Sequence, residues 1–261
     1  MANLNRIWRF FATAFCFSLF GLGGLFLALI WFPLCNLFYS DQARKRANCR
    51  AIVRQTFGFF VTVMCWVGVI RVSLEEAQKL RALSGKVVIA NHPSLIDVVV
   101  LISLIPNADC VVKSSLLRNP FMRGVIKATG YISNDNVDEL LADCERSLSQ
   151  GNNLIIFPEG TRTHPGQKCH FVRGAANIAI RTEKDFQLVF LRVEPPFLTK
   201  GLPWYKVPER RVDFMLRVAG TFNVHPYLSD NVTGAVRKLT KDIENLFIQE
   251  LKNDGSTEGR A

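Results

Sequence analysis

Residues 86–97 read Lys-Val-Val-Ile-Ala-Asn-His-Pro-Ser-Leu-Ile-Asp. The β-branched run Val87–Ile89 predicts a short strand over Lys86–Ala90, closed by an Asn91-His92-Pro93 turn, with a helix over Ser94–Ile105. The same alternation continues downstream. Cys110–Val112, Tyr131–Ser133, Leu154–Phe157, Leu188–Val193 and Val212–Val218 read as strands. Between and after them, Pro120–Thr129, Val137–Gln150, Gly174–Thr182 and Val232–Leu251 read as helices. Strands alternating with helices imply an α/β domain, layered around a central mixed sheet. In such sheets, chemistry gathers in the loops at the carboxyl ends of strands.

Two of those loops carry unusual side chains. The first holds His92 and Asp97, and the second is Phe157-Pro158-Glu159-Gly160-Thr161-Arg162. Five positions span about 140° around an ideal helix, so His92 and Asp97 would not share a helix face. Pro93 resolves this, because it favours an extended residue before it and can itself open a helix. His92 then sits in the turn, and Asp97 reaches back from the first helical turns to its ring. A carboxylate on one ring nitrogen fixes the tautomer and leaves the other nitrogen as a base. With an ordinary pKa of about 6.5, such an imidazole works at neutral pH.

No Gly-x-Ser-x-Gly nucleophile elbow is present. Ser94, two residues from His92, is poorly angled for a triad and reads as a helix cap. The nucleophile is therefore expected to be a hydroxyl of the substrate. In the second loop, Pro158 and Gly160 turn the chain sharply and present Glu159, Thr161 and Arg162 to one side. Arg162 suits a phosphate held bidentately. Arg173, just ahead of Gly174 at the next helix start, adds a cation and free backbone donors.

Composition adds a membrane. The 261 residues are 49% apolar, with a net charge of +10 from 32 basic and 22 acidic residues, and a mean hydropathy of +0.15. The apolar excess is concentrated in Phe10–Ser40, which has no charged residue, and in Gln55–Ile70. The first run exceeds the roughly 20 residues needed to cross a bilayer. It is too long for a signal peptide and has no small-residue cleavage site. Gly21, Gly23, Gly24 and Pro33 permit a kinked span, or a helical hairpin with Gln55–Ile70 lying in one leaflet.

Residues 1–70 hold Arg6, Arg9, Arg44, Lys45, Arg46, Arg50 and Arg54 against Asp41 alone. Bases flanking apolar runs favour an anionic membrane surface and a cytoplasmic location for the cluster 44–54, hence a catalytic domain facing the cytoplasm at the inner membrane. No RNP1 stretch or Cys/His finger supports a nucleic-acid partner. The seven cysteines are odd in number and irregular in spacing, which is not a disulfide framework. Cys169, His170 and His164 lack the partners to complete a metal site. The expected organisation is a membrane-anchoring segment at 1–72, a catalytic domain at 73–252 and a disordered tail at 253–261.

The paired motifs resemble those of the glycerolipid acyltransferase superfamily, the PlsC-like 1-acyl-glycerol-3-phosphate acyltransferases. Its members carry a histidine and an aspartate separated by four residues, then a Pro-Glu-Gly-Thr-Arg block. The match covers roughly residues 85–220. The resemblance implies that His92 is the general base and Asp97 its orienting partner, and that Glu159, Gly160, Thr161 and Arg162 shape the acceptor site. Lys113 occupies the place of a lysine common upstream of the family's second block. The resemblance implies a lysophospholipid acceptor, in the first place lysophosphatidic acid acylated to phosphatidic acid in phospholipid biosynthesis, with acyl-acyl-carrier protein or acyl-CoA as donor and no cofactor or metal.

Two positions depart from the pattern. In Gly130–Asn136 the family's arginine is replaced by Asn136, and a lost charge-assisted phosphate contact costs about 1.5–3 kcal/mol. Leu188–Pro196 lacks the usual Val-Pro of the fourth block. The first departure leaves open a different lysolipid acceptor, or a specialised polyene-type acyl donor. Non-catalytic lipid binding is a further alternative, opposed by the intact His92/Asp97 pair.

Overall fold

A computed structural model of the chain describes residues 2–133, 136–228 and 231–257. The first elements are helical: α1 (Ala2–Phe26), a π-helical turn (Leu27–Trp31), α2 (Phe32–Phe38) and α3 (Gln42–Trp66). The α/β part follows as β1 (Ile70–Glu75), α4 (Ala77–Arg81), β2 (Val87–Ala90), α5 (Asp97–Leu104) and β3 (Ala108–Val112). Next come α6 (Pro120–Thr129), β4 (Ile132–Ser133), α7 (Val137–Ser149) and β5 (Asn153–Ile156). The chain ends with α8 (Gly174–Thr182), β6 (Phe186–Glu194), β7 (Val212–Phe222) and α9 (Val232–Thr257).

The strands form one mixed sheet in the order β1-β7-β6-β2-β5-β3-β4. From β6 to β4 all neighbours are parallel, whereas β7 runs antiparallel to β6 and parallel to β1. Alternation along the strands builds a core on each face. Val88, Ala90, Ile155 and Leu191 pack with Val100, Leu101 and Ile105 of the α5 region and Val53 of α3. Val87, Ile89, Leu154 and Phe190 pack on the other face with Ala179 of α8 and Leu239 and Phe247 of α9. Burial on both faces explains why β2 and β5 read as continuous apolar runs.

The expected layered α/β domain with a central mixed sheet is present, and several boundaries differ from the sequence reading. β1 is missed by the sequence reading, which ends the second apolar run at Ile70, although Ile70, Val72 and Leu74 alternate with polar residues. The sheet therefore begins ahead of residue 73. Helix α5 starts at Asp97 rather than Ser94. Helix α9 is described to Thr257, past the expected break at 253, and residues 258–261 lie outside the described residues, as do Asn134 and Asp135.

The first apolar run is one continuous helix. Asn5–Phe38 contains an 18-residue window of mean hydropathy 2.2 and is long and apolar enough to cross a membrane. Pro33 does not break it. The π turn at Leu27–Trp31 lies just before Pro33, where a proline removes an N–H and crowds the preceding turn. Gly24 serves close packing, whereas Gly23 faces open space. A Cβ on Gly24 would lie 3.2 Å from Phe121 O, and one on Gly124 would lie 2.3 Å from Ala28 Cβ, so α6 crosses this helix at close range.

The second run lies largely in the C-terminal half of α3 and reaches the core through Met64. Cys49, Val53 and Met64 of α3 join the core under the sheet, while Phe59 and Trp66 stay exposed. The basic cluster also divides. Arg50 is buried, with Nη2 2.7 Å from Asp109 Oδ2 and Nε donating to Thr129 O. Arg54 Nε donates to Ser103 O at 3.4 Å. Assigning Arg50 to a lipid surface is corrected by this packing; Arg54 is half-buried.

Candidate active site

β2, β5, β3, β4 and β6 all end at the same edge of the sheet, so five loops converge there. Asn91 closes β2. Its buried amide donates to Leu191 O (2.7 Å) and accepts from Leu191 N (2.8 Å), as a peptide group would, adding one more rung against β6. His92 follows immediately, held from four directions. Its Nδ1 lies 2.8 Å from Asp97 Oδ2, and its backbone N–H donates to Glu159 Oε1 at 3.0 Å. Its carbonyl accepts from Thr163 N at 3.0 Å, and its ring stacks on Phe157 with centroids 4.2 Å apart.

Asp97 is fully buried, and its Oδ2 also accepts from Ser94 N at 2.8 Å. Burial pushes its carboxyl above the ordinary carboxylate range, while the His92 ring, the Ser94 amide and the Arg162 charge pull it back. An Nδ1–H donated to this carboxylate leaves the Nε2 lone pair free to act as a base.

Glu159 is turned inward rather than presented to the site. It is buried, with Oε1 on the His92 amide and Oε2 accepting the Thr163 hydroxyl. Burial raises its carboxyl pKa, opposed chiefly by the Thr163 and His92 hydrogen bonds. Gly160 occupies the left-handed region at φ 65°, where a side chain would be strained, and its N–H closes the turn onto Phe157 O. Thr161 is half-buried beside it. Arg162 is half-buried, and its Nη1 donates to Leu198 O at 2.7 Å.

Segment 197–199, just beyond β6, joins the two loops from a third side. Phe197 O accepts the Ser94 hydroxyl (2.8 Å), and Leu198 O accepts Leu95 N (3.1 Å) as well as Arg162. Ser94 is therefore a tether to this strap, and its Oγ also accepts the Ile96 N–H at 3.4 Å, a cap-type bond just ahead of α5. The altered fourth block thus feeds a segment that supports both motifs. Lys113 is exposed directly after β3, at the same edge. Arg173 is exposed at the start of α8. Asn136 is exposed too, and its amide donates to Glu139 at the entry to α7.

Asn91, Phe157 and Thr163 were missed as positioning residues. Asn91 and Thr163 directly flank the motifs, which was the available signal. The 197–199 strap had none, because backbone carbonyls are independent of side-chain identity.

The chain matches the Acyltransferase family model over residues 71–194. It is 33% identical over 177 residues to a 1-acyl-sn-glycerol-3-phosphate acyltransferase of Helicobacter pylori, covering 65% of this chain and 71% of that protein. It is 23% identical over 239 residues to the mouse 1-acyl-sn-glycerol-3-phosphate acyltransferase alpha, covering 88% of this chain and 79% of the relative. The crystal structure of the 1-acyl-sn-glycerophosphate acyltransferase PlsC from Thermotoga maritima superimposes with a TM-score of 0.69 at 17% identity, covering 97% of this chain and 98% of that one. That likeness concerns the fold.

Proposed function

Because the chain belongs to the glycerolipid acyltransferase family and is an acyltransferase of the 1-acylglycerol-3-phosphate type, we propose that it moves a fatty acyl group from a thioester donor to the free hydroxyl of lysophosphatidic acid, giving phosphatidic acid. The observation that carries this reading is the His92–Asp97 pair docked against the Phe157–Arg162 loop. His92 Nε2 takes the hydroxyl proton as the oxygen attacks the thioester carbonyl. The tetrahedral intermediate collapses with cleavage of the C–S bond, and the imidazolium returns the proton to the departing thiolate. Asp97 stabilises the imidazolium and holds the ring in register. Arg162, Lys113 and Arg173 supply the positive charge for the acceptor phosphate, and Gly160 and Thr161 form the wall between them. The thiol carrier is acyl carrier protein or coenzyme A.

Membrane attachment is part of the proposal. At 1.5 Å per residue, Asn5–Phe38 is about 51 Å long, more than the roughly 30 Å of a hydrocarbon core. Phe10 and Phe17 of this helix pack on Trp204, and Leu95 in the first catalytic loop and Leu202 and Tyr205 just after the 197–199 strap are exposed. An apolar border there suits a site that takes its acceptor from a bilayer, here assigned to the cytoplasmic face of the inner membrane.

Asn136 favours a second reading, in which the same chemistry serves another lysolipid or a specialised acyl chain. Purified protein assayed against a panel of lysolipid acceptors and both thioester types, with His92→Ala as the control, tests both. Marked preference for lysophosphatidic acid supports the first reading, and its loss to another acceptor supports the second.

A further inference from the structure

Away from the catalytic edge, a cleft of about 260 Å³ opens between the apolar helix, the start of α3 and the end of α6. Lys45, Arg46 and Lys127 line it together with Ala28, Phe32 and Pro33. No acidic residue is in its wall, and none of the three cations forms an ion pair among the described residues. The nearest carboxylate in sequence, Asp41, is already committed to the Ala43 and Arg44 amides and the Arg44 side chain.

The charges are not placed for their own helices. Lys127 at the end of α6 complements that helix's dipole, but Lys45 and Arg46 sit near the positive end of α3, where the dipole opposes cations. Arg46 is also held in place. Its guanidinium lies over Gly130, so closely that a Cβ there would meet Nε at 2.9 Å. Three cations, Lys45 half-buried and Arg46 and Lys127 exposed, line one cleft with no carboxylate among them, which favours a bound anion there. The volume far exceeds the roughly 30 Å³ share of one water, so a polyatomic group fits. Leu37 and Phe38, which follow the lining residue Asn36 in the chain, are exposed.

We propose that this cleft is a phosphate-binding site whose ligand is the headgroup of an anionic phospholipid, with the glycerol side lying along Ala28, Phe32 and Pro33. Basic pockets between membrane helices take lipid headgroups in this way. The inference uses the membrane attachment proposed above but not the acyl-transfer reaction, so a failed lipid assay leaves the catalytic reading untouched, and the reverse.

The full chain in detergent micelles doped with phosphatidylglycerol or phosphatidylcholine, followed by native mass spectrometry, reads out retained lipid. The wild-type protein is expected to retain phosphatidylglycerol selectively. Lys45→Gln/Arg46→Gln/Lys127→Gln should weaken that retention about tenfold or more, given the roughly additive contribution of each base near a lipid surface. The control Arg81→Gln/Arg181→Gln/Lys241→Gln, at exposed positions elsewhere with equal loss of charge, should retain the lipid. Asn36→Trp, which fills the cleft and keeps every charge, should lose it; this covers the case in which the triple variant fails to fold. Equal retention by wild type and cleft variants, or equal loss in the control, overturns the proposal. Displacement of the lipid by millimolar inorganic phosphate assigns the site to free phosphate and overturns the lipid assignment.

Discussion

Glu159 Oε1 accepts the backbone N–H of His92 at 3.0 Å across 67 residues of sequence. The second motif therefore sets the position of the first. With Thr163 N on the His92 carbonyl and Phe157 against its ring, the catalytic turn is braced by the loop that also carries Arg162. A base that must meet a hydroxyl within hydrogen-bond reach gains from such fixed geometry.

Replacing His92 by alanine should lower kcat by about 10²–10⁴-fold, the usual contribution of a positioned general base. Asp97→Asn should cause a loss approaching the same size, because the amide no longer enforces the Nδ1–H tautomer. Thermal melts in the same buffer should show both variants folded. A folded His92→Ala enzyme with wild-type turnover would remove the proposed mechanism.

Glu159→Gln separates geometry from charge, since the amide can still accept from His92 N and donate to Thr163. Burial raises the folded pKa of Glu159, so its stabilising contribution is complete below the unfolded value of ~4.3 and is lost as pH rises through the raised one. Glutamine suffers no such loss. The melting temperature of Glu159→Gln relative to wild type should therefore climb between pH 4 and pH 7. A difference that shrinks over that interval contradicts the assignment.

Arg162→Ala should raise KM for a phosphorylated acceptor about tenfold to a hundredfold, as expected for a lost charge-assisted contact. KM for the thioester should move little. If Arg162 acts only by gripping the 197–199 strap, steady-state kinetics will show kcat falling for every acceptor with KM unchanged.

The Arg50–Asp109 pair is buried at 2.7 Å, with Ser147 also donating to Asp109. Arg50→Met alone should destabilise the fold by about 3–5 kcal/mol by stranding the carboxylate. Arg50→Met/Asp109→Leu should recover much of this in denaturant titrations. Equal stability of the single variant and wild type would place Arg50 back at a lipid surface.

Gly124→Ala should loosen the crossing of α6 with the apolar helix, because the added methyl would sit 2.3 Å from Ala28 Cβ. Overpacking of this kind costs about 1–3 kcal/mol. Limited proteolysis should then cleave around residues 114–130 faster than in wild type.

The sequence by itself determined the alternation of strands and helices, the histidine–aspartate spacing, the Pro-Glu-Gly turn and the long apolar run. Each of these is local, set by side-chain period, by turn residues or by charge within a few positions of the chain. Tertiary structure alone decided what those residues touch. Glu159 reads as part of the acceptor site and is a buried brace; Ser94 reads as a cap and is also a tether; Arg50 reads as a membrane-facing base and is half of a buried ion pair. Asn136 reads as a missing phosphate ligand and is bonded to Glu139 at a helix start. The physical reason is common to all four. A polar side chain's role depends on which partner reaches it across the fold, and those partners lie on strands brought together only when the parallel sheet aligns its carboxyl ends.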